Sequence, residues 1–146
     1  MYRYFIFILA TLSTVSAASA SDLHTYADVK SAIQSGKRLS IFVDYSQCTL
    51  ANGNKSHINI SAVLTPSEII INNDKEYMTS SVFHFTLSHP AFPGKGIYEF
   101  SKYTLTNGDD FTYSVQVVDP TNYQPLNDAM TFNCKLDVGV KMQAGG

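Results

Sequence analysis

Through most of the chain hydrophobic and polar positions alternate with a period of two, the pattern of half-buried strands. Leu39, Ile41 and Val43 alternate with Ser40, Phe42 and Asp44. Shorter apolar pieces span residues 57–64 and 68–72. In residues 76–87, Met78, Val82 and His84 alternate with Tyr77, Phe83, Phe85 and Leu87, and a phase change near Ser80-Ser81 predicts a bulge. The last segment, residues 131–142, places Phe132, Cys134, Leu136, Val138, Val140 and Met142 on one parity. Asn133, Lys135, Asp137 and Lys141 occupy the other.

Residues 96–119 read as one long β-hairpin turned at Asn107-Gly108. Both central residues of a type I′ turn need φ > 0, which Gly adopts freely and Asn tolerates. A two-residue loop sets Thr106 opposite Asp109, Thr104 opposite Phe111, Phe100 opposite Val115 and Tyr98 opposite Val117. One face then collects Tyr98, Phe100, Phe111, Tyr113, Val115 and Val117 as core, and the other carries Glu99, Ser101, Asp110, Ser114 and Gln116. A slip of one residue would set Glu99 against Val117 and Ser101 against Val115, which favours the shorter loop.

The period of two is broken near the start. Thr25 is placed as a helix N-cap with Asp28 in the first turn, Val29, Ala32 and Ile33 share a face, and Gly36 supplies a left-handed C-terminal position. A helix of about ten residues is marginal alone and must dock on something larger. One short helix followed by runs of strands predicts an α+β, mostly-β fold: an antiparallel sheet of about seven strands, curved or arranged as a sandwich. The competing outer-membrane barrel needs a continuous lipid-facing band, whereas these strands pair an apolar face with a polar one.

The first twenty residues have the parts of a secretory signal: Arg3, an apolar run, and small residues ending Ala18-Ser19-Ala20. The run is shorter than the roughly 20 apolar residues that span a bilayer, so no membrane span is expected after cleavage. A single domain over residues 21–146, periplasmic or secreted, is the expected product. Ten basic and twelve acidic residues are scattered without a run of like charge. With no basic patch to replace counterions on a phosphate backbone, nucleic acid is an unsuitable partner.

Cys48 and Cys134 are the two cysteines of the chain. An even pair in an exported protein is most simply a structural disulfide. A redox or metal role lacks a C-x-x-C, and two thiols are half a zinc site. The histidines, His24, His57, His84 and His89, fall in no H-x-H or H-E-x-x-H arrangement, so no metal or other cofactor is expected. His84 shares a strand face with Val82 and Thr86, as a pocket residue or a hydrogen-bonded sheet histidine. No G-x-S-x-G places a serine on a strained elbow. Asp109-Asp110 lacks the rest of a calcium loop. Phe92, between Pro90 and Pro93, is either a restricted aromatic contact point or a cover over the sheet edge. Asp44, Ser46, His84, Glu99 and Phe92 are the candidate pocket or binding residues.

The set Asp44-x-Ser46-x-Cys48-Thr49, His84-Phe85-Thr86-Leu87, Tyr98-Glu99-Phe100, Tyr103 and Phe132-x-Cys134-x-Leu136-x-x-Gly139-Val140 resembles the bacterial VirK family. These are small exported proteins first named for plant-tumour virulence regulons. The resemblance covers nearly the whole chain after the leader. It implies an exported, virulence-associated bacterial protein and transfers no catalytic residue, since its landmarks are hydrophobic positions and cysteines.

Two functions remain open on these residues. One is a monomeric, non-enzymatic accessory or binding protein without cofactor, whose partner is another protein or a host factor, in the exporting cell's surroundings or delivered into a host cell. The other is a hydrolase-like extracytoplasmic enzyme, which requires at least two of Asp44, Ser46, His84 and Glu99 to converge in a concave pocket.

Overall fold

A computed structural model of the chain describes residues 20–145, so the expected leader lies outside the described residues apart from Ala20. Among them run, in order, β1 (Ser21–Leu23), α1 (Tyr26–Gln34), β2 (Arg38–Asp44), β3 (Thr49–Leu50), β4 (Ser61–Leu64), β5 (Ile70–Asn72), β6 (Tyr77–Thr86), β7 (Ile97–Thr106), β8 (Asp110–Val118), β9 (Met130–Leu136) and β10 (Gly139–Gly145). A 3-10 turn, Tyr45–Gln47, joins β2 to β3. The strands form one open sheet in the order β4-β2-β10-β9-β8-β7-β6-β5, with β1 beside β10 and β3 beside β9.

The sheet has ten strands, not about seven, and it is mixed, not purely antiparallel. β1, β3 and β5 are two or three residues long, too short to show a period. The parallel contact is between β9 and β10, pairing Lys135 with Gly139 and Leu136 with Val140. A parallel crossover ordinarily takes a dozen or more residues. Here left-handed backbone at Asp137 (φ 63°) and Gly139 (φ 84°) folds the chain back within two residues. A Cβ on residue 139 would stand 3.2 Å from Cys48 Sγ and 3.2 Å from Gln47 Cβ, so glycine answers both the backbone angle and the close approach. The fold-back also overturns the expected unbroken strand over residues 131–142. Val138 is exposed, while Phe132, Cys134, Leu136, Val140 and Met142 stay in the core.

The helix forms where its capping residues place it. Thr25 Oγ accepts from the Asp28 N–H at 3.1 Å and the Asp28 carboxylate accepts from the Thr25 N–H at 3.0 Å. Tyr26, Val29 and Ala32 face the core. Val29 lines one small cavity, about 10 Å³, with Leu39 and Ile41 of β2, Met78 of β6, and Tyr103 and Leu105 of β7. In the sheet order four strands separate β2 from β6, roughly 24 Å across a flat sheet. The sheet is therefore curled about its apolar face, with α1 against the inside.

The central hairpin exists, with a register one residue away from the expected one. Leu105 pairs with Phe111, Tyr103 with Tyr113, Ser101 with Val115, Glu99 with Val117 and Tyr98 with Val118. The loop has three residues. Asp109 adopts φ 61° and its N–H donates to the Thr106 carbonyl at 2.9 Å, a turn closed by one left-handed residue. Because side-chain period is two, the slip exchanges faces. Ile97, Glu99, Ser101, Tyr103 and Leu105 point inward, and Tyr98, Phe100 and Lys102 outward. The inner serine is tolerated because Ser101 Oγ meets the Tyr113 hydroxyl at 2.8 Å in the buried layer.

No bulge interrupts β6 at Ser80-Ser81: its pairing with β7 runs unbroken from Tyr77–Thr106 to Thr86–Ile97. Ser80 is simply an inner residue, buried and donating to the Glu68 carbonyl. A serine at a core position imitates a phase change in the hydrophobic pattern.

Candidate functional site

The expected site residues come together as two pairs. Asp44 and Ser46 form the first. One carboxylate oxygen of Asp44 accepts from the Ser46 N–H at 3.0 Å and from Ser46 Oγ at 2.7 Å, capping the 3-10 turn. That turn brings the Cys48 N–H to the Tyr45 carbonyl at 3.2 Å. Cys48 and Cys134, 86 positions apart in sequence, form a disulfide there. The Asp44-x-Ser46-x-Cys48 spacing thus has a mechanical reading: a carboxylate cap shapes one turn and aims a cysteine at the β9 strand.

His84 and Glu99 form the second pair, directly opposed across β6 and β7 on the inner parity. His84 Nε2 lies 3.5 Å from one Glu99 oxygen, and His89 Nε2, from the connecting loop, 3.7 Å from the other. Sequence reasoning had not singled out His89 as a partner. His89 Nδ1 accepts from the Ala91 N–H at 3.1 Å, so the neutral ring carries its proton on Nε2, toward the carboxylate. Among the described residues no group of three His, Cys, Asp or Glu is arranged to hold an ion. Phe92 is half-buried, its ring 5.3 Å from that of His89. Glu99, His84, His89 and Phe92 together anchor the loop between β6 and β7.

Tyr45 links the regions through the core. Its ring packs 5.5 Å from Tyr113 and 4.8 Å from Phe132. Burial first, then the neighbouring Tyr113, pushes its phenol far above the usual tyrosine range, so it stays neutral.

The outer face carries what the expected register had hidden. Phe83 and Phe85 of β6 and Phe100 of β7 are 61%, 53% and 40% exposed. Phe83 stacks on Phe100 at 5.5 Å, Phe83 and Phe85 both meet Tyr98 edge-on, and Tyr98 stacks on Tyr123 at 5.9 Å. Beside Phe83 and Phe100 a shallow groove of about 370 Å³ is completed by Lys102, Ser114 and Gln116. The available signal was that apolar and aromatic residues occur on both parities of residues 97–105, Ile97, Tyr103 and Leu105 on one and Tyr98 and Phe100 on the other, as in a strand apolar on two sides.

An open, curled, mixed sheet holding one capped helix and tied by one disulfide defines a small β-rich domain. Residues 22–123 match the VirK protein family, and the chain belongs to that family. Its fold is similar to the crystal structure of a VirK family protein from Legionella pneumophila, with a TM-score of 0.74 and 28% sequence identity over 83% of this chain and 97% of that one. No curated protein matches the sequence. No helix among the described residues is long and apolar enough to cross a membrane.

Proposed function

We propose that this VirK protein is an exported, non-enzymatic accessory protein that engages a protein partner through the aromatic outer face of β6 and β7. The observation that carries this reading is the contiguous aromatic set of exposed Phe83, Phe100 and Tyr123 packed around half-buried Tyr98. Its aromatic composition is that of the core of a protein–protein interface, with Lys102 beside it in the position of a polar rim. Monomeric soluble proteins seldom leave contiguous apolar area open without a use for it. The signal-like start and the Cys48–Cys134 pair support export and extracytoplasmic folding, and the family resemblance supports a role in virulence. In this reading Asp44, Ser46, Cys48 and Cys134 are structural, and His84, Glu99 and Phe92 hold a loop. The whole of residues 21–146 acts as one domain.

A photo-reactive amino acid placed at Phe100 in the producing bacterium tests the reading, with Lys30 on the helix as the comparison site. A discrete adduct containing one other polypeptide, formed at residue 100 and absent at residue 30, is expected. Adducts at both sites alike, or at neither, contradict it.

A further inference from the structure

The outer margin of β6 is half covered. β5 pairs only with Tyr77, Met78 and Thr79, and no strand among the described residues lies beyond Ser80. The alternation of backbone bonds follows from the Asn107 N–H donating to the Glu76 carbonyl at 3.0 Å. That bond makes the even-numbered residues of β6 the ones that exchange hydrogen bonds with β7. Ser81, Phe83 and Phe85 therefore aim their N–H and C=O groups away from the sheet. Among the described residues no backbone or side-chain group bonds to any of them. Natural edge strands are blunted by lysine, proline, a bulge or an overlying loop. The stretch Ser81-Val82-Phe83-His84-Phe85 has no lysine, no proline and no bulge, and Phe83 and Phe85 stand open beside it.

We infer that this edge pairs with the same edge of a second copy of the chain, antiparallel and centred on Phe83. The stretch is self-complementary under a two-fold axis. Phe83 then exchanges both backbone bonds with the partner's Phe83, Ser81 with the partner's Phe85, and Phe85 with the partner's Ser81, which uses every outward donor and acceptor of the three residues. No acidic, lysine or arginine side chain meets its own kind across the axis. On the outer face the paired Phe83 rings make the two aromatic surfaces continuous, and on the inner face Val82 lies opposite the partner's His84. A contact this short is at the small end of specific interfaces, so the dimer is concentration-dependent. It replaces the monomer expected from sequence, and it goes beyond the proposed partner binding without resting on it.

Sedimentation velocity on the purified, oxidised chain from micromolar to near-millimolar concentration tests the pairing. The unmodified chain is expected to pass from monomer to dimer. Phe83→Lys and Phe83→Glu each place like charges at the axis and are expected to weaken the dimer about fivefold, while an equal mixture of the two variants restores it. Unchanged thermal melting of both variants shows that the fold is kept, as the exposure of Phe83 leads one to expect. A monomer at every concentration, a dimer indifferent to both substitutions, or a mixture that behaves as its separate components overturns the inference. The first of these results would leave the edge to an extended segment of another protein.

Discussion

The Asp109 carboxylate accepts a 2.6 Å hydrogen bond from the Tyr26 N–H, so the left-handed residue that closes the central hairpin also caps the start of α1. Its carbonyl accepts from the Leu136 N–H at 3.0 Å, adding the end of β9 to the same point. Three distant parts of the chain are held in register by one aspartate. Asp109→Ala loses both the cap and the tolerated backbone angle and is expected to cost about 2–3 kcal/mol. Asp109→Gly loses the cap alone and should cost less, with Asp109→Asn the mildest. Urea unfolding of the three variants checks the ranking; equal losses for Ala and Gly would show that the backbone angle is not under strain.

The Cys48–Cys134 bridge closes a loop of 86 positions. In the chain-entropy account such a loop is worth on the order of 4–5 kcal/mol, comparable to the stability of many small domains. Cys134→Ala, or reduction of the unmodified protein, is expected to lower the melting temperature by ten degrees or thereabouts. An unchanged midpoint in oxidised and reduced samples would refute a structural bridge.

Ser101 and Tyr113 supply a buried hydroxyl pair at 2.8 Å. Ser101→Ala leaves the tyrosine hydroxyl unsatisfied and is expected to cost about 1–3 kcal/mol. Tyr113→Phe together with Ser101→Ala removes both polar atoms and should cost less than the two single changes added. Strict additivity in a double-mutant cycle would mean the two hydroxyls do not interact.

Stability falls at both ends of the pH scale for separate reasons. The Thr25 hydroxyl contributes most to holding the Asp28 carboxyl below the usual carboxylate range, and the Thr121 N–H does the same for Asp119. A depressed folded-state value gives stability that is complete above the unfolded value and is lost as pH falls through the folded one. His24 is raised, first by its hydrogen bond to Asp137 at 2.9 Å. Its contribution is complete below the unfolded imidazole value and is lost as pH rises through the folded one. Asp28→Ala should therefore flatten the acid limb of a melting-temperature profile, and His24→Gln the loss that sets in above the unfolded imidazole value. A profile unchanged by either substitution contradicts these assignments.

Much of the fold was legible because it rests on local chemistry. Thr25, Asp28 and Gly36 mark the helix by their own hydrogen bonds and backbone angles, and Leu39, Ile41 and Val43 show β2 by alternation. The hairpin was legible as an element and not as a register, because Asn107-Gly108 serves a two-residue loop and a three-residue loop alike. What decided between them was distant: the Asp109 side chain reaching Tyr26, and a hydroxyl pair that lets Ser101 lie inside. That single residue of slip concealed the outer surface, since it assigned Tyr98 and Phe100 to the core. His84 and Glu99, candidate pocket residues in the sequence, prove to be opposed across β6 and β7, whereas His89 reaches Glu99 through a loop path that no sequence spacing encodes.

Hydroxyl-radical footprinting of the protein inside and outside its producing cell tests the central claim, that the aromatic face is a working contact surface. Phe83, Phe100 and Tyr123 are expected to be labelled strongly in the purified chain and weakly in the cell, with Phe42, exposed on β2, labelled equally in both. Equal labelling of all four residues in the two settings would contradict it.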